Sequence, residues 1–219
     1  MHELTSAAVA LMVCVAAGSY LAGCCNGAII TSFLFYHDDI RKHGSHNAGL
    51  TNFYRVYGGK FAVCVILIDM LKAFVAVKLG SIVFGEYLGL RLEGEYFSAL
   101  FCVIGHIFPA FYSFKGGKGI LCSGTLLLLL DWRIALVCWS LFAVLWLTTR
   151  YVSLGSVSAA AVFPVMTHLV FGDAFATAFS VLIAALVLFA HRENIKRLLN
   201  GTENKFRFHV NAPKSEGEA

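Results

Sequence analysis

Charge is scarce in this sequence: Asp, Glu, Lys and Arg make up 14% of 219 residues, while 58% are hydrophobic. The mean hydropathy is +0.75. A soluble domain carries about 45 to 50% apolar residues, so this composition excludes a soluble chain and predicts an integral membrane protein. The net charge of +4 is small, and no arginine stripe or RNA-binding pattern points to a nucleic-acid partner. No CxxC pair or His/Cys metal spacing occurs. The seven cysteines, Cys14, Cys24, Cys25, Cys64, Cys102, Cys122 and Cys138, all lie in apolar stretches and read as small, reduced, buried hydrophobes. No segment of 20 to 50 residues repeats, and no inverted pair of broken helices of the transporter kind is visible.

What is present is a series of apolar runs, at about 6–35, 61–79, 96–113, 119–130, 133–149, 154–171 and 173–190. Most suit the roughly 20 residues that cross a bilayer. Residues 119–130 would cover only about 18 Å of a roughly 30 Å hydrocarbon layer, so 119–149 could form one helix. Asp131 and Arg133 favour a hairpin instead, because it lifts both charges to an interface. The expected fold is therefore all-α with seven transmembrane helices. Of the 17 Lys and Arg residues, thirteen then share one face: Arg41, Lys42, Arg55, Lys60, Lys115, Lys118, Arg150, Arg192, Lys196, Arg197, Lys205, Arg207 and Lys214. Only Lys78, Arg91 and Arg133 lie on the other, and Lys72 is inside a span. The positive-inside tendency makes the rich face cytoplasmic, with the N-terminus outside and the C-terminus cytoplasmic. Residues 1–199 form the membrane domain and 200–219 a polar cytoplasmic tail. Leu21-Ala22-Gly23-Cys24 has the form of a lipoprotein cleavage box, but no basic residues precede it, so the segment is expected to stay as a helix. The Asn200-Gly201-Thr202 sequon should be silent on a cytoplasmic face.

Four polar clusters fall on that face. Gly44-Ser45-His46-Asn47-Ala48-Gly49-Leu50-Thr51-Asn52-Phe53-Tyr54-Arg55 carries the donors an anion needs, or is a polar connection. Phe114-Lys115-Gly116-Gly117-Lys118-Gly119 reads as a phosphate cradle, because glycines let successive N–H groups turn toward one anion beside a lysine. It is not a Walker A motif, since Gly119 stands where Ser or Thr is needed. Thr148 to Ser156 offers hydroxyls and Arg150. His191 and Asn194 share one helical face, and Glu193 with Arg197 reads as a surface ion pair. Within the second span, Asp69 and Lys72 are spaced for mutual neutralisation. His168 and Asp173 match an HxxxxD acyltransferase pattern, but fall on the opposite face and are read as a chance match.

The order and spacing of these clusters resemble the PlsY family of bacterial membrane glycerol-3-phosphate acyltransferases. The resemblance rests on Gly44-Ser45-x-Asn47 with Asn52 and Arg55, on Asp69-x-x-Lys72, and on Gly105-His106 through Gly119. The serines after Tyr151, and His191-Arg192-Glu193-Asn194-Ile195 through Gly201-Thr202-Glu203, complete it. It implies a seven-helix enzyme of the bacterial inner membrane, its active site facing the cytoplasm. Such an enzyme moves an acyl chain from acyl phosphate to glycerol 3-phosphate, without metal, coenzyme A or acyl carrier protein. The expected substrate-binding residues are Ser45, Asn47, Asn52, Arg55, Lys115, Gly116, Gly117, Lys118 and Ser153; His191, Asn194 and Lys118 are the expected catalytic ones. His191 is either a general base or a positioning group. His46 and Leu50 stand where the family has glycine and alanine, and Cys24-Cys25-Asn26 where it has Ser-Ile-Pro. His46 either adds a proton donor beside the phosphate or fills space. The rival is a transporter or flippase for a phosphorylated solute or lipid, which should place its site near the midplane.

Overall fold

All seven apolar runs are helical in the computed structural model, which describes residues 6–206. Among the described residues there is no strand. The first run is broken: α1 (Ser6–Cys24) stops at Cys25-Asn26 and α2 (Gly27–Tyr36) restarts the chain. Asn26 makes the break, its Oδ1 accepting from the Ile29 N–H at 3.0 Å as the α2 N-cap. Its Nδ2 donates to the Ala48 carbonyl at 3.1 Å. A break inside apolar surroundings frees carbonyls that need donors, and here Lys72 Nζ reaches Gly23 O at 3.3 Å and Cys25 O at 3.0 Å.

A 310 turn (Ile40–Lys42) and α3 (Leu50–Tyr57) order the long polar connection. Next come α4 (Ala62–Leu88) and α5 (Arg91–Ile107), then a second 310 turn at Ala110–Tyr112. The short α6 (Ile120–Leu130) and α7 (Trp132–Thr149) are separate helices. Asp131 caps α7 through the Arg133 N–H at 2.8 Å and pairs with the Arg133 guanidinium, which rules out a single helix over 119–149. The chain continues with α8 (Val152–Phe171), α9 (Ala174–Ala190) and α10 (Arg192–Leu199). Among the described residues four helical segments are long and apolar enough to cross a membrane, or five if α9 and α10, bent by 63°, count as one.

Helices α1, α4 and α5 pack mutually, while α7, α8 and α9 form a second layer, with α6 against α4 and α9 against α5. Small residues permit close helix contacts. A Cβ on Gly23 would strike the Cys102 carbonyl, and one on Gly94 the Gly80 carbonyl. Outward positions such as Val63, Leu67 and Phe74 on α4 and Leu136 and Leu147 on α7 are exposed, as in a helical protein whose solvent is lipid. The cysteines depart from expectation: Cys24, Cys102, Cys122 and Cys138 are buried, but Cys14 and Cys25 are exposed. Cys24, the residue of the cleavage box, is sealed inside the helix layer. His168 and Asp173 sit at the far end of α8, where Asp173 caps α9 through the Ala176 N–H.

Candidate active site

Helix α3 begins a polar mouth. Asn52, almost fully buried, accepts from the Ser45 N–H at 2.9 Å and donates to the carbonyls of His43 at 3.0 Å and Asn47 at 3.1 Å. Its donors and acceptor are thus engaged by the 43–47 loop, so Asn52 shapes the loop rather than offering itself to a ligand. Ser45, Asn47 and Arg55 line the opening. Arg55 forms no ion pair among the described residues. The family's glycine position, His46, has φ of 57°, a left-handed conformation natural to glycine, and its Nδ1 is held 3.1 Å from the Arg41 carbonyl.

The glycine-rich turn is built differently from the cradle its sequence suggests. The Gly116 N–H donates to Ile107 O and the Gly117 N–H to His106 O, both at 3.1 Å, so these two amides are already satisfied. A Cβ on Gly117 would collide with His106 Nε2 and the Ala48 carbonyl. These glycines therefore permit close packing beneath the turn, and neither lines the cavity. Lys115 is exposed and also outside it. Lys118 does line it, and Gly119 at φ of 80° starts α6, whose N-terminus has no side-chain cap. The positive end of the helix dipole thus lies at the mouth beside Lys118.

Opposite stands the end of α9. His191 is buried, and its Nδ1 lies 2.8 Å from the Val187 carbonyl. A carbonyl only accepts, so Nδ1 carries the proton and Nε2 keeps the lone pair. Burial, aided by the Lys118 charge, pushes the His191 pKa down to about 4, so the ring is neutral near pH 7. Asn194 Oδ1 accepts from Lys118 Nζ, and its Nδ2 donates to Glu203 Oε1 at 2.7 Å. The same carboxylate accepts from Ser153 Oγ at 2.7 Å and from Arg197 Nε at 2.7 Å. Burial works against ionisation of Glu203, but those three donors hold its carboxyl below the ordinary range.

Arg197 and Glu203 were missed as site residues. The expected Glu193–Arg197 pair does not form: Glu193 pairs with Lys196 at 3.1 Å, and Arg197 with Glu203. Gly201, at φ of 68°, reverses the chain after α10, and the Thr202 N–H bonds back to Arg197 O at 2.8 Å. That turn was the available signal. The residues from 200 to 206 consequently belong with the helical body, Phe206 donating its N–H to Arg150 O at 2.8 Å and ringed by Tyr54 and Trp146. Arg150 and Arg192 do not line the cavity, and Arg192 lies over the Phe189 ring.

Arg55, Lys118 and Arg197 with Glu203 leave a net charge of +2 at the mouth. Burial, reinforced by repulsion from Arg197 and Arg55, lowers the Lys118 pKa to about 8. The mouth and the space behind it, between α6, α7, α8 and α9, form one cavity of about 610 Å³, whose inner end is lined by Leu126, Leu130, Phe142, Ala160, Phe163 and Ala184 among others. An anion and a long apolar chain fit its two ends. Among the described residues no cluster of three His, Cys, Asp or Glu side chains has metal-binding geometry.

A family model described as glycerol-3-phosphate acyltransferase matches residues 13–201. Glycerol-3-phosphate acyltransferase from Fusobacterium nucleatum is 38% identical over 190 residues, which cover 87% of this chain and 95% of that protein. Its counterpart from Finegoldia magna is 42% identical over 188 residues, 85% and 91% of the two chains. The crystal structure of PlsY, an integral membrane glycerol 3-phosphate acyltransferase, in its glycerol 3-phosphate form superposes with a TM-score of 0.80 at 29% identity. It covers 90% of this chain and 96% of that one. Matched along nearly its whole helical frame and across nearly the full length of its relatives, this chain belongs to the glycerol-3-phosphate acyltransferase family of integral membrane enzymes.

Proposed function

We propose that this acyltransferase moves an acyl group from acyl phosphate to a hydroxyl of glycerol 3-phosphate, producing lysophosphatidic acid and inorganic phosphate. The observation that carries the reading is the two-ended cavity, a mouth of three cations opening onto an apolar channel. Two phosphorylated substrates must meet in this reaction, each with about −1.5 to −2 charges, and their repulsion requires concentrated positive charge. Arg55, Lys118 and Arg197 supply it, with the α6 N-terminus behind them. The channel holds the acyl chain away from water.

Acyl phosphate is an activated donor, so the glycerol hydroxyl attacks the acyl carbon directly. The new C–O bond forms as the C–O bond to phosphate breaks, and the electron pair leaves with phosphate. The hydroxyl proton passes to His191 Nε2 or to a phosphate oxygen of the substrates. Asn194, fixed between Lys118 and Glu203, positions the reacting groups, and Ser153 braces Glu203. Placement and charge stabilisation are the enzyme's contribution. The site sits at the cytoplasmic face of a bacterial inner membrane crossed by seven helices, with the N-terminus outside; the thirteen clustered basic residues support this orientation.

Purified protein given palmitoyl phosphate and labelled glycerol 3-phosphate should form lysophosphatidic acid, with palmitoyl coenzyme A inert in its place. No product from a folded sample would overturn the reading, and labelled solute accumulating in proteoliposomes would favour transport. Turnover in His191→Ala separates the two proton routes: a loss of on the order of 100-fold or more assigns it to the ring, and near-normal turnover to the phosphate.

A further inference from the structure

Beneath the mouth lies a second polar assembly with no assigned part in the reaction. Asp69, Lys72 and His106 are 1%, 4% and 2% exposed. Lys72 Nζ stands 2.7 Å from Asp69 Oδ1 and 2.6 Å from His106 Nδ1, while the Gly27 N–H donates to Asp69 Oδ1 at 3.1 Å. An ammonium only donates, so Nδ1 is the accepting nitrogen and Nε2 carries the ring proton. That Nε2 faces the backbone of Gly117, while the His106 carbonyl receives the Gly117 N–H. The Ala48 carbonyl, itself held by Asn26 at the helix break, closes on the same side of Gly117 as the ring. Hydrogen bonds and close packing therefore join the α1–α2 break, the end of α5, the 43–49 loop and the residue immediately before Lys118.

Mutual neutralisation accounts for Asp69 and Lys72 but not for the histidine between them and the turn. We infer that His106, held by the Asp69–Lys72 pair, is a positioning residue for Lys118, setting the turn from which that lysine reaches the substrate phosphate. This rests on the proposed role of Lys118 as a phosphate-binding cation.

The test compares His106→Leu, His106→Asn, Lys118→Met and the double variant His106→Leu/Lys118→Met, in steady-state assays with both phosphorylated substrates. His106→Leu should raise KM for at least one of them by tenfold or more while kcat changes less than threefold. His106→Asn, whose Oδ1 replaces the Nδ1 acceptor, should restore KM to within threefold of the parent. In the Lys118→Met background His106→Leu should add less than a further twofold. A His106→Leu defect that multiplies in full in that background, or that falls on kcat alone, would overturn the inference. If Lys118→Met itself left KM and kcat unchanged, the phosphate-binding reading would fail instead. Should His106→Leu not fold, Asp69→Asn/Lys72→Met removes the ring's support without leaving an unpaired charge. It should show the same KM-specific defect and the same loss of effect in Lys118→Met, and its absence would count equally against the inference.

Discussion

Two lysines, Lys72 and Lys118, lie in adjoining polar assemblies with opposite character. Lys72 is closed: a carboxylate, a ring nitrogen and two backbone carbonyls surround its ammonium, and its charge is matched by Asp69. Lys118 is open: it shares its surroundings with Arg55 and Arg197, and only the amide oxygen of Asn194 and the more distant Glu203 oppose three positive charges. Saturation marks the architectural lysine and surplus charge marks the one prepared for a ligand. The same criterion separates Asn52, fully engaged with its own loop, from Arg55 beside it on α3.

The contrast can be broken hardest at the closed site. Asp69→Ala strands a buried ammonium and should cost about 3 to 5 kcal/mol, whereas Asp69→Asn/Lys72→Met should recover most of that. Thermal unfolding in detergent reads both. At the open site Lys118→Met should leave the unfolding midpoint nearly unchanged while kcat/KM falls by about 100-fold to 1,000-fold. Glu203→Gln weakens the brace on Asn194 and Arg197 and should lower kcat/KM on the order of tenfold.

A pH profile sharpens the comparison further. With its pKa at about 8, Lys118 should lose its proton above that pH, and kcat/KM should fall several-fold there. Lys118→Arg should flatten this limb, since arginine stays charged. Unfolding does not mimic the effect. Between about 8 and its unfolded value the lysine holds more protons unfolded than folded, so its contribution to stability rises with pH across that window. The smallest effect is expected at His46, where His46→Gly relieves a left-handed residue but loses the bond to Arg41 O. The net change should be within about 1 kcal/mol.

Hydropathy alone located the apolar helices, because a helix with an apolar surface advertises itself residue by residue. The break after Cys24 was invisible to it, since Asn26 acts there through a cap and through Ala48, twenty-two residues onward. Polar residues that line the cavity were legible where they stood out in an apolar or glycine-rich setting, as with Lys118, His191 and Asn194. Gly116 and Gly117 misled for a physical reason: a glycine that exposes its amide to an anion and one that makes room for a histidine look identical in a sequence. Arg197 and Glu203 were hidden in the reverse way. Each had a bland local partner or none in sequence, and only the Gly201 reversal brought them together.

The spacing of Asp69 and Lys72 bears on how the protein is made as well as how it stands. Three residues apart on α4, the two charges can meet within a single helix, before any neighbour has arrived. A nascent α4 can thus carry its two charges already paired, with much of the penalty for burying them removed before the other helices pack on it. His106 and the carbonyls of Gly23 and Cys25 need only be added later, as the helices assemble around it.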